Sequence, residues 1–102
     1  MSPPPSLTGA QKRYLRGLGH HLSPVVHVGK EGVSAGVLSA TGQALDDHEL
    51  IKVKLPQVGK AERKTMAGAL GESSEAAVCG VTGRVVLLYR AHPDKPVIRL
   101  PR

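Results

Sequence analysis

The sequence is poor in aromatic residues and in cysteine. Its 102 residues include two tyrosines, no phenylalanine, no tryptophan and one cysteine, Cys79. A single cysteine excludes an internal disulfide framework and a multi-cysteine zinc site, and we therefore expect a cytoplasmic protein. No apolar run approaches the ~20 residues that a membrane-spanning helix needs, so we expect no membrane association. The core must be built from aliphatic side chains.

Acidic residues are absent from the beginning of the chain. This stretch contains Lys12, Arg13, Arg16 and Lys30, and the first carboxylate is Glu31. The whole chain has 14 Lys and Arg against 8 Asp and Glu, which gives a formal net charge of +6. A small basic domain indicates an anionic partner, most commonly a nucleic acid. Solubility alone is the alternative explanation of the charge.

The pattern of apolar and turn residues predicts seven elements in the order α-β-α-β-α-β-β. They are helices over residues 8–22, 34–48 and 60–71 and strands over 25–28, 50–55, 76–81 and 84–90. The helix between the first two strands makes them parallel, the third helix permits another parallel pairing, and the last two strands form a hairpin. We therefore expect a single α+β two-layer domain over residues 7–100, with a mixed four-stranded sheet. A flexible proline-rich tail over residues 1–6 precedes it, and a monomer is expected.

The first helix is predicted to be amphipathic. Thr8 and Gln11 have the capping-box spacing that begins a helix. At ~100° per residue, one face is apolar and the opposite face is basic. The apolar face comprises Tyr14, Leu15, Leu18 and Leu22, and the basic face comprises Lys12, Arg13, Arg16 and His20. Because no Asp or Glu is interleaved with these cations, the basic face is a candidate phosphate contact as well as a candidate solvated surface.

A glycine-flanked turn, Gly29-Lys30-Glu31-Gly32, lies between the first predicted strand and the second helix. Glycine permits a tight turn and a close backbone approach. The N–H groups at the start of the following helix favour an anion, and Lys30 adds a positive charge. KH modules use a Gly-x-x-Gly loop to clamp a nucleic-acid backbone. An ordinary strand-to-helix turn is the alternative interpretation of this motif.

No group of residues has the pattern of an enzyme or metal site. Cys79 lies in the middle of a predicted strand, where a buried thiol is expected. Asp46, Asp47 and Glu49 lie at a helix end where the dipole disfavours them, so this end is expected to face away from RNA. The histidines lack helical zinc spacing, and His48 is expected to be partly buried. We therefore predict no catalytic residue, no cofactor and no metal.

The scarcity of aromatic side chains also limits how RNA could be bound. Tyr14 and Tyr89 are too few to form a base-stacking sheet of the RRM type. Binding is therefore expected to depend on phosphates and on the shape of the RNA. The alternative function is a protein-interaction module whose basic face docks an acidic protein partner.

Four segments resemble the YhbY family, the bacterial single-domain form of the CRM domain (chloroplast RNA splicing and ribosome maturation). They are Leu7–Arg16, His20–Gly32, His48–Lys54 and Gly83–Arg90. The resemblance covers essentially the whole of residues 7–100. It is weakest over residues 56–75, and no role is transferred to that region.

The resemblance implies a fold similar to the C-terminal domain of translation initiation factor three. It also implies binding to structured RNA and association with precursors of the large ribosomal subunit. The implied RNA contacts are Gly29, Lys30, Glu31 and Gly32 of the turn and Lys12, Arg13, Arg16 and His20 of the first helix. Glu31 stands where family members often have a neutral residue, and its charge is expected to weaken phosphate binding.

Overall fold

A computed structural model describes residues 6–102 of the protein. The predicted flexible tail therefore lies outside the described residues, apart from Ser6, which is exposed and irregular. Three helices and four strands follow in the predicted order. They are α1 (Gly9–Gly19), β1 (Pro24–His27), α2 (Ala35–His48), β2 (Leu50–Lys54), α3 (Lys60–Ser73), β3 (Ala77–Thr82) and β4 (Val85–Tyr89). None of the helices within residues 6–102 is long and apolar enough to cross a bilayer.

The four strands form one mixed sheet in the order β1-β2-β4-β3. β1 runs parallel to β2, and β4 pairs antiparallel with both β2 and β3. The prediction of a mixed four-stranded α+β sheet is confirmed. The parallel pairing that α3 permitted does not form, because β4 folds back from β3 and occupies the place beside β2.

Apolar side chains cover both faces of the sheet. On one face, α2 and α3 pack against the alternate residues Ile51 and Val53 of β2 and Val86 and Leu88 of β4. These two layers enclose the larger core. On the other face, a smaller cluster joins α1 and the C-terminal segment (residues 90–102) to the sheet. It comprises Leu15, Leu50, Cys79, Leu87 and Tyr89, with Leu7, Ile98 and Leu100 packed against it.

The capping box predicted for α1 is present, but the helix is shorter than predicted and is rotated. Thr8 accepts a hydrogen bond from the Gln11 backbone, and the Gln11 side chain accepts one from the Thr8 N–H. α1 ends at Gly19. A Cβ at Gly19 would lie 2.8 Å from Leu87 Cδ1, so this glycine allows the helix to lie close against the sheet.

This close approach corrects the predicted apolar face of α1. Leu15 and Gly19 are the buried residues of the helix. Tyr14 and Leu18 remain 42% and 41% exposed, and Leu22 beyond the helix is 39% exposed. The contact therefore lies closer to the basic residues than the sequence pattern indicated.

The acidic group at the end of α2 is structural. Glu49 takes a positive φ of 63° directly after the helix and is only 3% exposed. Its carboxylate accepts hydrogen bonds from the backbone N–H groups of His92, Val97 and Ile98 at 2.7, 2.9 and 2.9 Å. Glu49 thereby holds the C-terminal segment against the start of β2. The expectation that His48 is partly buried is wrong. His48 is exposed, because it ends α2 beside the groove that Leu18 and Val25 line.

Candidate nucleic-acid interface

Gly29 to Gly32 form a hydrogen-bonded turn that connects β1 to α2. The Gly32 N–H donates to the Gly29 carbonyl at 3.0 Å, and Gly32 has a φ of 78°, which favours glycine. Gly29, Lys30 and Glu31 are exposed. Two residues further on, the Ser34 hydroxyl caps α2 by accepting from the Val37 N–H at 3.3 Å. The turn therefore presents an accessible backbone and one cation beside the start of a helix.

The side chains of the predicted basic face of α1 differ in what they contact. Lys12 and Arg16 lie near β3, where both act on the thiol of Cys79. Arg16 Nη1 also donates to the Cys79 carbonyl at 3.0 Å, so this side chain is partly engaged by the fold. Arg13 is exposed and makes no hydrogen bond or ion pair among the described residues. Arg16 and His20 line the same groove beside the helix.

This groove lies between α1 and the sheet and has a volume of about 400 Å³. Lys52 of β2 contributes to its wall, together with Thr82 at the end of β3. Lys54 follows Lys52 on the same face, because alternate residues of a strand share a face, and it pairs with the exposed His27 of β1. Apolar and basic residues alternate in β2, and this alternation is the sequence signal for Lys52 and Lys54, which were not selected as candidate site residues.

The predicted α1 and turn residues do not lie next to each other. Pro24 at the start of β1 lines the groove with Arg16 and His20, whereas Lys30 follows the opposite end of the strand. From Pro24 to Gly29 the chain advances about 16 Å at ~3.3 Å per residue. Lys54 is placed between the two sets. The candidate surface is therefore a path along β1 and β2 rather than a single compact cluster.

Opposite charges collect at opposite ends of the sheet. We call the end at which β1 and β2 terminate the basic end. It is defined by Lys30, Lys54, Lys60, Arg63, Lys64 and Arg84. The other end is the acidic end, defined by Asp46, Asp47, Glu49, Glu72, Glu75 and Asp94. Two carboxylates, Glu31 and Glu62, lie with the basic end, and they leave it with a net positive charge.

The cations of the basic end are free of carboxylate partners. Within residues 6–102, the salt bridge between Arg90 Nη2 and Asp46 Oδ1, at 2.7 Å, is the only one, and it lies at the acidic end. Arg84 Nε donates to the Leu55 carbonyl at 3.2 Å, which ties the β3–β4 turn to the end of β2. The basic end is therefore a surface of net positive charge whose cations make no salt bridge among the described residues.

Cys79 is the buried thiol that the sequence predicted. It is 2% exposed, and burial raises its pKa to about 11, although Lys12 and Arg16 act in the opposite direction. A thiol in this state is a poor nucleophile at neutral pH. Among the described residues, no three His, Cys, Asp or Glu side chains converge in a way that could hold a metal ion.

Comparison with known proteins identifies the family. The CRS1/YhbY (CRM) domain model matches residues 7–90. The chain is 38% identical over 97 residues to a Haemophilus influenzae protein named "RNA-binding protein", covering 95% of this chain and 97% of that one. It is 37% identical over 95 residues to the Bacillus subtilis "Probable RNA-binding protein YqeI", covering 93% and 99% of the two chains.

The fold is shared with a solved structure from the same group of sequences. The solution structure of SAV1595 from Staphylococcus aureus superposes with a TM-score of 0.84 at 34% sequence identity. The match covers 94% of this chain and 100% of the Staphylococcus aureus chain. Together with the family match over most of its length, this similarity shows that the chain belongs to the CRS1/YhbY (CRM) domain family.

Proposed function

We propose that this protein is a non-enzymatic RNA-binding factor that binds structured ribosomal RNA and assists assembly of the large ribosomal subunit. Residues 7–100 act as a single RNA-binding domain, as a monomer in the cytoplasm. The observation that carries the proposal is the net positive charge of the basic end, which includes the Gly29–Gly32 turn. The names of the Haemophilus influenzae and Bacillus subtilis relatives support RNA as the partner.

The turn supplies the first contact with the RNA backbone. Because Gly29 and Gly32 have no side chains, a phosphate can approach the main chain and the start of α2 closely. Lys30 is exposed beside it and adds a charge-assisted contact. Glu31 in the same turn repels a phosphate, so its side chain must point away from the bound strand.

The groove beside α1 supplies the second contact. Arg16 uses Nη1 to bind the Cys79 carbonyl, and this bond fixes the direction of a guanidinium whose other nitrogens can bind phosphate. Lys52 and His20 line the same groove, and Lys12 and Arg13 add longer-range attraction. Contacts of this kind position an RNA without reading its sequence. The target is therefore recognised mainly by the shape of its backbone.

Two observations support large-subunit RNA as the target. They are the family membership of the chain and the separation of its charges into a basic end and an acidic end. A ribosomal precursor offers folded RNA helices with closely spaced phosphates, which suit a path of cations along β1 and β2. The acidic end would face away from this RNA, because Asp47 and Asp94 are exposed there and would repel phosphates.

The salt dependence of binding tests the phosphate contacts. The assay is fluorescence anisotropy with a labelled RNA hairpin of about 16 base pairs, a length that a small RNA-binding domain can span. If about five phosphates are neutralised, log affinity falls with log salt concentration with a slope of about −3 to −5. Lys30→Gln lowers the magnitude of this slope by about one. Lys95→Gln, which removes the same charge from the C-terminal segment, is the control. Equal slopes for the two variants would refute the role of the turn.

An apolar groove makes a protein partner the second candidate. Leu18, Leu22 and Val25 are 41%, 39% and 53% exposed and line a cavity of about 480 Å³ beside the C-terminal segment. Exposed apolar patches of this kind often bind proteins.

Sedimentation of a gentle cell lysate distinguishes the two candidates. The RNA proposal predicts that the protein migrates with precursors of the large subunit and is released by salt and by ribonuclease. A protein partner predicts a complex that survives ribonuclease. Migration at the top of the gradient under all conditions would contradict the ribosomal role.

A further inference from the structure

The side of α3 that faces the sheet is basic in the first turns of the helix and apolar in the later turns. At ~100° per residue, six residues of α3 fall within an arc of about 120°. They are Lys60, Arg63, Lys64, Ala67, Leu70 and Gly71. Ala67, Leu70 and Gly71 are buried against the sheet, whereas Lys60 and Lys64 are exposed and Arg63 is half-buried. The start of the helix thus extends beyond the core and carries three cations there.

These three cations surround the turn between β3 and β4. They line a shallow depression of about 100 Å³ together with Val81 and Gly83. None of them makes a salt bridge within residues 6–102. The nearest carboxylate in sequence, Glu62, lies about 160° from Lys60 and Lys64 and about 100° from Arg63 around the helix at ~100° per residue. We call Lys60, Arg63 and Lys64 the α3 basic patch.

The position of the α3 basic patch is unfavourable for the helix itself. Cations in the first turns of a helix are repelled by its dipole, whose positive pole lies at the N-terminus. Their repulsion is not relieved by any ion pair among the described residues. Neither the helix dipole nor an ion pair accounts for these three charges, and they are available to a ligand.

α3 also contacts the Gly29–Gly32 turn. Met66 Cε, two residues after Lys64, lies 3.8 Å from the position that a Cβ would take on Gly32. The turn follows β1 at one edge of the sheet, and the depression lies at the β3–β4 turn near the other edge. Three strand spacings of ~4.8 Å place the two edges about 14 Å apart. The same sheet connects them, so the fold sets the spacing of the two positive surfaces.

We propose that the α3 basic patch is a further phosphate-binding surface that acts on the same RNA as the Gly29–Gly32 turn and the groove beside α1. This inference rests on the proposed function. The RNA then contacts the basic end with two stretches of backbone, one at the turn and one at the patch. A single narrow strand across the turn would leave the patch empty, whereas a folded RNA helix can reach both.

Neutralisation of the patch tests this inference. The variant Lys60→Gln/Arg63→Gln/Lys64→Gln is compared with Lys95→Gln/Arg99→Gln/Arg102→Gln, which removes the same charge from the exposed C-terminal segment. Anisotropy with the hairpin of about 16 base pairs is measured over a range of salt concentrations. The patch variant is expected to lower the magnitude of the salt slope by about two, and its affinity at physiological salt by about 40-fold. The control variant is expected to keep the wild-type slope.

Thermal denaturation separates this effect from misfolding. Because the three cations oppose the helix dipole, the patch variant is expected to melt at or slightly above the wild-type temperature. Equal slopes for patch and control variants, with Lys30→Gln still weakened, would overturn the patch while leaving the proposed function intact. Failure of the wild-type protein to bind the hairpin would overturn both.

Discussion

Glu49 is expected to be the residue whose neutral replacement most clearly destabilises the acidic end. Its carboxylate is 3% exposed and accepts three backbone hydrogen bonds from the C-terminal segment. In Glu49→Gln, the amide oxygen can still accept from Val97 and Ile98, but the amide nitrogen then faces the His92 N–H. A hydrogen bond to a charged group contributes about 1.5–3 kcal/mol. One such bond is lost and two are weakened.

The exposure of the segment reduces this loss. His92 is half-buried, so water can reach its N–H when the amide nitrogen has replaced the accepting oxygen. We therefore expect Glu49→Gln to lower the free energy of unfolding by about 2 kcal/mol. In a domain of this size, that corresponds to a fall in melting temperature of about 8–16 °C. The control is Asp47→Asn, which removes the same charge from an exposed neighbour bonded only to Gln43.

The effect of Glu49→Gln also depends on pH. Burial alone would raise the pKa of the Glu49 carboxyl, but the three N–H donors and the charge of His92 together hold this pKa below its ordinary value. Because the folded pKa lies below the unfolded one, the stabilisation is complete above the unfolded pKa. It is lost as the pH falls through the folded pKa. The melting-temperature gap between wild type and variant should therefore be largest near neutral pH and close in acid. Equal melting of Glu49→Gln and Asp47→Asn, or a gap unchanged in acid, would refute this account.

Three further substitutions or reactions test the structure. Gly32→Ala should lower the free energy of unfolding by about 1–2 kcal/mol, because the φ of Gly32 is 78°. Gly29→Ala should leave this free energy nearly unchanged in chemical denaturation, because nothing lies within 4 Å of the Gly29 Cβ position. Equal losses for the two variants would contradict the turn geometry. Arg90→Ala should lower the melting temperature by about 10 °C, because Arg90 donates to Ser74 and Gly42 carbonyls at 2.7 and 3.0 Å; a wild-type melting curve would show that these bonds contribute little. Cys79, with a pKa of about 11, should resist a thiol reagent at neutral pH until denaturant is added; rapid labelling of the native protein would contradict its burial.

The sequence predicted the elements that depend on local signals. Thr8 and Gln11 predicted the start of α1 because a capping box is complete within four residues. The short run of strand-forming residues over 50–55 predicted β2, which the structure places at Leu50–Lys54. The mixed sheet followed from connection lengths alone.

Features that depend on distant parts of the chain could not be predicted. The rotation of α1 depends on the contact between Gly19 and Leu87, which are far apart in sequence. The role of Glu49 depends on a segment more than forty residues later. The α3 basic patch faces Val81 and Gly83 only because β4 places the β3–β4 turn beside the start of α3. No role was therefore assigned to its cations from the sequence.

Mapping the bound RNA onto the two ends of the sheet tests the central claim most directly. Backbone amide resonances of the ¹⁵N-labelled protein would be followed by NMR during titration with the RNA hairpin. The account predicts that the largest shifts occur at Gly29–Gly32, at Arg16, Lys52 and Lys54, and at Lys60–Lys64 and Gly83. Little change is expected at Asp46–Glu49. Shifts centred on the acidic end, or on the apolar groove at Leu18 and Val25, would contradict it.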